Sequence, residues 1–345
     1  MRKFIIKISF YFVPFICFLA FYRFYILTNI SGDMGILAKL PFKAQYGKML
    51  EENTLQDYIV FDTLINQSST LIFKNKPTII TIGDSFSQLD KKGYQNYFAH
   101  LFNFEVVNIK RNDMNTPVQD AISFLNSGII DSTTCHIVVI ESVDRAVFER
   151  LTNPDFSQTF TYFTPTEIKK KKHPYEFDLF QLTSFIRLMF GYENPISQYD
   201  LDDNYFTHSW GNTAYCYVYE LLSFANISQN DIKLAKENLI KLNEMFDKKG
   251  IKMIFLIAAD KYDVYRPFMQ DKTLPIDTST DDFDRIPNVC VINTKSILQD
   301  MIHNGEKDVY EINDSHWSYK ASEAVAKKLA HDIDSLGILK KEGSR

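Results

Sequence analysis

Short apolar runs alternate with helical segments over two stretches of the chain, residues 76–151 and 228–340. Five of the runs are rich in β-branched residues and have the length of buried parallel strands: 77–82, 104–109, 136–140, 252–257 and 288–292. Helical spacing of apolar residues follows in 93–102, 117–128, 228–250 and 319–333. This alternation predicts an α/β domain with a doubly wound, mostly parallel sheet of about five strands and helices on both faces.

Residues 152–227 interrupt this pattern and are dense in aromatic side chains. The aromatic residues are Phe160, Tyr162, Phe163, Tyr175, Phe177, Phe180, Tyr199, Tyr205, Phe206, Trp210, Tyr215, Tyr217 and Tyr219. We predict an insertion or cap that folds against the carboxyl edge of the sheet. Two interpretations of the rings stay open, since most suit interior packing and a few suit stacking against sugar rings. The lead-in segment 31–75 has a mixed pattern that fits a short strand or a short helix.

The N-terminal segment is basic and then strongly apolar. "MRKFIIK" precedes an uncharged run over 8–22, and the run resumes after Arg23. Residues 4–27 are long enough to span a bilayer, and the basic start favours a cytoplasmic N-terminus. A small residue is missing two positions before Ala20, where a signal-peptide cleavage site would need one. We therefore predict an uncleaved membrane anchor in residues 1–30, with the remainder in the periplasm or outside the cell. A cleaved signal peptide is the alternative.

Composition and charge exclude several classes of function. The 345 residues are 45% hydrophobic and 23% charged, which is typical of a globular protein. A net charge of −5 gives no support to nucleic-acid binding. The basic block 169–172, "KKKK", is interpreted as a solvated loop or as a contact with an anionic polymer or lipid headgroup. The four cysteines lack metal-ligand spacing, and no nucleotide-binding glycine motif occurs, so we expect neither a metal site nor a cofactor.

The stretch "TIGDSFSQL", residues 81–89, directly follows the first predicted core strand. Ser85 would then lie at the carboxyl edge of the sheet, where open α/β sheets bind ligands. Gly83 permits a tight turn at this point. A serine hydroxyl is a weak nucleophile unless a base removes its proton, so the prediction requires a histidine nearby.

The stretch "INDSHWSYKAS", residues 312–322, supplies that histidine just before the last helix. Asp314 and His316 are two positions apart, and such residues point the same way in an extended segment. Asp314 can therefore hold one ring nitrogen of His316 while the other faces Ser85, which is the logic of a catalytic triad. We expect Ser85 and His316 at hydrogen-bond distance, roughly 2.6–3.2 Å. Alternatively, the serine is an ordinary loop residue and the aspartate a helix cap.

Together the two motifs resemble those of the SGNH (GDSL-type) hydrolase superfamily. "GDSFS" with "DSHW" is similar to the alginate O-acetylation proteins and related acetyltransferases of bacterial surface polysaccharides. The stretches 138–151 and 257–269 also resemble strand-and-turn segments of that group. The resemblance implies an SGNH/flavodoxin-like sheet, with Ser85 as nucleophile, His316 as general base and Asp314 as its orienting partner. It places Trp317 in the wall of the site.

Further residues are candidates for substrate binding or for stabilising the oxyanion. These are the backbone N–H groups at Ser85 and the side chains of Asp84, Asn112, Asn115, Arg145, Lys261 and Trp317. The glycine of the superfamily's second block and the asparagine of its third block are not evident in "NIKRNDMNTP" or "ESVDR". This departure leaves a non-catalytic role open as one alternative.

The resemblance implies an extracytoplasmic serine acyltransferase that O-acetylates a cell-surface polysaccharide through an acyl-Ser85 intermediate. A carbohydrate esterase with the same triad is the first alternative, because the two differ only in whether a sugar hydroxyl or water accepts the acyl group. A non-catalytic polysaccharide-binding or assembly protein is the second. A transferase outside the cytoplasm has no access to acetyl-CoA, so its expected partner is a polytopic membrane O-acyltransferase that delivers acetyl groups.

Overall fold

The fold is taken from a computed structural model of the chain. The structure describes residues 2–21, 33–36, 59–62, 79–89, 92–102, 106–110, 115–131, 135–160, 196–207 and 212–335. Eight strands occur in this part of the chain: β1 (Ile59–Asp62), β2 (Ile79–Ile82), β3 (Val106–Lys110), β4 (Ile137–Val143), β5 (Ile196–Asp200), β6 (Thr213–Tyr217), β7 (Lys252–Ala258) and β8 (Cys290–Asn293).

Six of these strands form one parallel sheet in the order β1-β3-β2-β4-β7-β8. Five of them correspond to the five predicted apolar runs, so the predicted α/β fold with a parallel sheet is confirmed. The sixth, β1, comes from the lead-in segment, where the sequence pattern did not decide between strand and helix. It pairs with β3 at the edge of the sheet.

The strand order creates a switch point beside β2. The chain passes from β2 to β3 on one side and then returns to β4 on the other side. In open α/β sheets, the crevice at such a reversal lies at the carboxyl ends of the strands and is the usual ligand site. The residues that directly follow β2 and β4 therefore lie at this crevice.

Ten α-helices occur in the described residues, in addition to short 3-10 turns. They are α1 (Arg2–Phe21), α2 (Asp33–Ile36), α3 (Tyr94–Phe102), α4 (Pro117–Asn126), α5 (Val147–Thr152), α6 (Val218–Leu222), α7 (Gln229–Lys248), α8 (Lys261–Tyr265), α9 (Thr294–His303) and α10 (Tyr319–Ser335). Capping residues define where several of these helices begin. Thr116 accepts a hydrogen bond from Gln119 N at the start of α4, and Ser228 and Asp231 form a capping box at the start of α7.

Alternate residues of the central strands supply two hydrophobic cores, one on each face of the sheet. Ile79 and Ile137 belong to the core that also contains residues of α3, α9 and α10. Ile80 and Val138 belong to the core that contains residues of α4 and α7. Because successive side chains of a strand point to opposite faces, burial of both sets means that helices cover the sheet on both sides.

The described part of the aromatic-rich segment packs next to the carboxyl edge of the sheet. Its strands β5 and β6 form an antiparallel pair. Asp202 N donates to Phe268 O at 2.9 Å, which ties the segment to the turn after α8. Tyr215 and Tyr217 are buried, whereas Tyr219 is 44% exposed. Residues 161–195 and 208–211, which include "KKKK" and several of the aromatic residues, lie outside the described residues.

The N-terminal segment forms helix α1 over Arg2–Phe21, and Pro14 lies inside it. Among the described residues, no helix combines the length and apolar character that a membrane crossing requires. Part of the predicted anchor over residues 4–27 lies outside the described residues, and the anchor stays a prediction.

Candidate active site

Ser85 opens a short 3-10 turn, Ser85–Gln88, immediately after β2. Its side chain is exposed, while Phe86 and Ser87 of the same turn are buried. Close packing explains the glycine of the motif, because a Cβ at Gly83 would lie 2.1 Å from Ser87 Oγ and 2.4 Å from Glu141 Oε2. The turn therefore holds the serine at the crevice with its hydroxyl accessible.

The structure brings Ser85, His316 and Asp314 together in one hydrogen-bonded chain. His316 Nε2 lies 2.7 Å from Ser85 Oγ, and His316 Nδ1 lies 2.6 Å from Asp314 Oδ1. The same carboxylate oxygen accepts a hydrogen bond from His316 N at 2.9 Å. An ionised carboxylate only accepts hydrogen bonds, so Nδ1 carries a proton in the neutral ring and Nε2 is free to accept the serine proton.

Lys261 supports the loop that carries Asp314 and His316. Its buried Nζ donates to the backbone carbonyls of Glu311 at 2.6 Å, Ile312 at 3.0 Å and Asp314 at 3.1 Å. Sequence reasoning grouped Lys261 with the substrate-binding or oxyanion candidates. All three of these hydrogen bonds go to the triad loop, residues 311–316, which carries Asp314 and His316. Lys261 therefore holds this loop in place.

Asp33 contacts the triad from the lead-in segment, and the sequence analysis missed it. Asp33 N donates to Asp314 Oδ2 at 3.2 Å. Its carboxylate accepts hydrogen bonds from Ser315 N at 2.8 Å and from Ser315 Oγ at 2.6 Å. No periodic pattern surrounds this residue, and it is 281 positions away from Asp314, so the sequence contains no local signal for the contact.

The charges around His316 prepare it to act as a base. Burial alone lowers the pKa of His316, but the hydrogen bond and negative charge of Asp314, together with the charge of Asp33, raise its pKa above the ordinary 6.5. Burial raises the pKa of Asp314, yet its hydrogen bond and ion pair with His316 outweigh this and hold that pKa well below its usual range. Asp314 therefore stays ionised at neutral pH and stabilises the imidazolium form of His316.

Asp84 is buried and holds the turn Ser85–Gln88 in place. Arg150 contacts both of its carboxylate oxygens, and Val143 N donates to Oδ2 at 2.9 Å. Asp84 N in turn donates to Glu141 Oε2 at 2.6 Å. Burial and the nearby charge of Asp84 raise the pKa of Glu141 to about 8. Asp84, for which the sequence suggested substrate or oxyanion binding, thus links the turn Ser85–Gln88 to the ends of β4 and α5.

Three further candidates from the sequence are Trp317, Asn115 and Asn112. Trp317 is buried and packs edge-on against Phe86, with ring centroids 4.5 Å apart; the Phe86 ring also lies 4.9 Å from that of His316. Asn115 donates to Asp120 Oδ1 at 3.1 Å. Asn112 lies outside the described residues.

Arg145 borders a cleft whose lining contains none of Ser85, Asp314 and His316. Its backbone N donates to Asp260 Oδ2 at 3.1 Å, its guanidinium forms an ion pair with the same carboxylate, and its Cζ lies 5.0 Å above the Tyr219 ring. The cleft has a volume of about 580 Å³, and its lining includes Phe148 and Leu222. The positive charge of Arg145 lowers the pKa of His316, against the larger opposite effect of Asp314.

Ligand atoms of Asp33, Asp314 and His316 lie within 4.8 Å of one another, a separation compatible with a metal ion. Each of these side chains is already engaged by the hydrogen bonds described above. Hydrogen bonding between a neutral imidazole and the serine accounts for the group without a cation.

The arrangement provides a nucleophile, a base and an orienting acid at the switch point of a parallel sheet, which suits acyl transfer. No protein-family model matches the chain, and no curated protein matches it either. The functional interpretation therefore depends on the geometry of the site and on the resemblance of its two short motifs.

Proposed function

We propose that the protein is a serine acyltransferase that O-acetylates a cell-surface polysaccharide outside the cytoplasm. The observation that carries the proposal is the chain of hydrogen bonds from exposed Ser85 through His316 to Asp314, at 2.7 and 2.6 Å. A serine that only filled a loop would not need a histidine whose second nitrogen is held by a half-buried carboxylate.

The proposed reaction has two steps that use the same base. Ser85 Oγ attacks the acyl carbonyl of the donor while His316 Nε2 takes the hydroxyl proton, and a tetrahedral oxyanion forms. His316 then returns the proton to the leaving group, and the acyl-serine remains. In the second step His316 removes a proton from the acceptor hydroxyl, whose oxygen attacks the acyl carbon. The bond between the acyl carbon and Ser85 Oγ then breaks, and His316 gives the proton to Ser85 Oγ.

The best-placed oxyanion donor is the backbone N–H of Ser85 itself. It is the first N–H of the 3-10 turn, and the first N–H groups of a helical turn have no partner within the turn. A pre-positioned donor of this kind is typically worth about 10²–10³ in rate. Arg145 is less suited to this task, because Asp260 already holds its guanidinium and its backbone N–H.

The cleft lined by Arg145 and Tyr219 suits a glycan ligand, which both candidate reactions require. The exposed ring of Tyr219 stacks on Tyr217, with centroids 4.7 Å apart, and it faces the cleft that Arg145 borders. The hydrogen-bonding groups of the cleft suit the hydroxyls of a glycan, whereas Tyr217 and Arg145 already lie against the Tyr219 ring. A carbohydrate esterase would use the same triad and the same cleft, with water as acceptor, and is the second candidate.

The acetyl donor follows from the predicted topology. If residues 4–27 anchor the chain and the remainder is extracytoplasmic, acetyl-CoA is on the other side of the membrane. One spanning helix cannot carry an acyl group across a bilayer. The proposal therefore includes a polytopic membrane O-acyltransferase that delivers acetyl groups to this protein, which itself needs no cofactor.

Rescue of glycan acetylation in cells lacking the protein tests the function. We expect glycan O-acetylation to fall in the deletion strain and to return with the wild-type gene but not with Ser85→Ala. An exposed-site variant, Asp334→Asn, is the control and should rescue fully. Higher acetylation in the deletion strain would instead identify a deacetylase. Equal rescue by Ser85→Ala would contradict covalent catalysis and favour a binding or assembly role.

A further inference from the structure

Three carboxylates converge in a second, fully buried cluster. Asp144 follows β4, Asp263 lies in α8 and Asp277 lies in the loop before β8. One carboxylate oxygen from each lies within 4.8 Å of the others, and the side chains are at most 7% exposed. Buried carboxylates at this separation repel one another strongly unless protons or a cation neutralise them.

Two oxygens of this cluster have no hydrogen-bond partner among the described residues. They are Oδ2 of Asp144 and Oδ1 of Asp263, and both are inaccessible to solvent. The other oxygen of Asp144 accepts a hydrogen bond from Thr280 Oγ1 at 3.0 Å. Ser279 Oγ, two positions after Asp277, is also buried without a partner. Buried oxygens are almost always satisfied, so unpaired ones in one cluster point to a missing ligand.

The described residues offer little positive charge to balance the cluster. Lys295 is the cation that acts on both Asp144 and Asp263. Its Nζ, however, already pairs with Asp281 and donates to the backbone carbonyl of Asp277 at 2.8 Å. Among the described residues the cluster therefore has a deficit of positive charge. A divalent cation would remove it.

We propose that Asp144, Asp263 and Asp277 bind one calcium ion. The donors are all oxygens, which select hard cations over zinc or copper. Oxygens bound to one calcium at 2.3–2.6 Å can lie up to about 4.6–5.2 Å apart, and the three oxygens, which lie within 4.8 Å of one another, can reach a common ion. Magnesium gives up its waters reluctantly and usually keeps several of them, so three buried carboxylates suit calcium better.

The ion joins three segments that border the active site. Asp144 precedes Arg145 of the cleft, and Asp263 lies in the same short helix as Lys261, which supports the triad loop. The calcium site therefore stabilises the fold at the carboxyl edge of the sheet. It does not depend on the proposed acyl transfer, and calcium binding can be measured without any assay of activity.

Equilibrium dialysis of the full-length chain, first stripped with EDTA, tests the site with radioactive calcium as probe. We expect one bound ion per chain at pH 7.5 and a melting temperature higher in calcium than in EDTA by about 5 °C or more. An equal rise with magnesium at the same concentration would overturn the assignment to calcium. Absence of bound calcium, with equal melting temperatures in both buffers, would show that protons neutralise the cluster and would overturn the site.

Two variants locate the ion. Asp263→Asn removes one ligand and one buried negative charge, so calcium affinity should fall at least about tenfold and the calcium-dependent shift should disappear. The same variant should melt above the wild type in EDTA, because repulsion in the empty cluster is relieved. The matched control is Asp282→Asn, whose exposed side chain pairs with Arg285 in the same region and which should bind calcium normally. Normal calcium binding by Asp263→Asn would contradict the site.

Discussion

Ser85→Ala is expected to lower kcat/KM for a chromogenic acetyl ester by at least about 10⁴-fold, because the acyl group then has no oxygen to which it can transfer. The Ser85 side chain is exposed, so the free energy of unfolding should change by less than about 0.5 kcal/mol. Steady-state kinetics and urea unfolding of the purified full-length chain measure the two quantities. Loss of activity with unchanged stability would separate a catalytic from a structural role.

The matched control lies two residues away in the same turn. Ser87 is buried; its Oγ donates to Glu141 Oε2 at 2.9 Å and lies at hydrogen-bond distance, 3.0 Å, from Tyr94 OH. Ser87→Ala should therefore lower the free energy of unfolding by about 1–3 kcal/mol while the nucleophile remains and turnover persists. If Ser85→Ala kept wild-type turnover, the covalent mechanism would be wrong.

Asp314→Asn is expected to lower kcat by roughly 10³–10⁴-fold, since the amide no longer holds His316 in the tautomer that accepts the serine proton. It should also shift the pH dependence. In the wild type the acidic limb of kcat/KM lies above pH 6.5, because Asp314 and Asp33 raise the pKa of His316 and only the neutral ring is a base. Without the charge of Asp314, burial lowers that pKa, so the limb moves to lower pH.

The pH dependence of kcat/KM over about pH 5–9 measures this shift. Asp334→Asn, on the exposed side of α10, is the control and should leave the limb in place. An acidic limb that stays in place in Asp314→Asn, or moves to higher pH, would mean that the carboxylate does not set the basicity of His316.

The sequence predicted the parts of the fold that have a local signal. Runs of β-branched residues are typical of buried parallel strands, and all five predicted strands are present. The sequence did not decide between a strand and a helix for β1. Its pattern over Ile59–Asp62 is short, and its partner β3 is distant in the chain. Strand order cannot be derived from periodicity, since it is set by the packing of helices on the two faces.

The proximity of Ser85, His316 and Asp314 was predicted from the positions of the two motifs relative to the predicted strands and helices. The serine follows the first core strand, and an Asp-x-His pair precedes the last helix. The contacts of the supporting residues could not be predicted, because they are made with partners that are distant in sequence. Asp84 is bound by Arg150, Lys261 holds backbone carbonyls of the triad loop, and Asp33 contacts Asp314. Judged by side-chain chemistry alone, Asp84 and Lys261 would suit substrate binding as well as they suit these structural contacts.

Mass spectrometry of the peptide that contains Ser85, after brief exposure to an activated acetyl ester and acid quench, tests the acyl-serine intermediate most directly. We predict a mass increase of one acetyl group on Ser85 in the wild type. In His316→Gln, which lacks the base of both steps, the acetyl group should form on Ser85 more slowly and remain there longer. Turnover of the ester by the wild type with no acetyl group on Ser85, or with the label on another residue, would contradict the account.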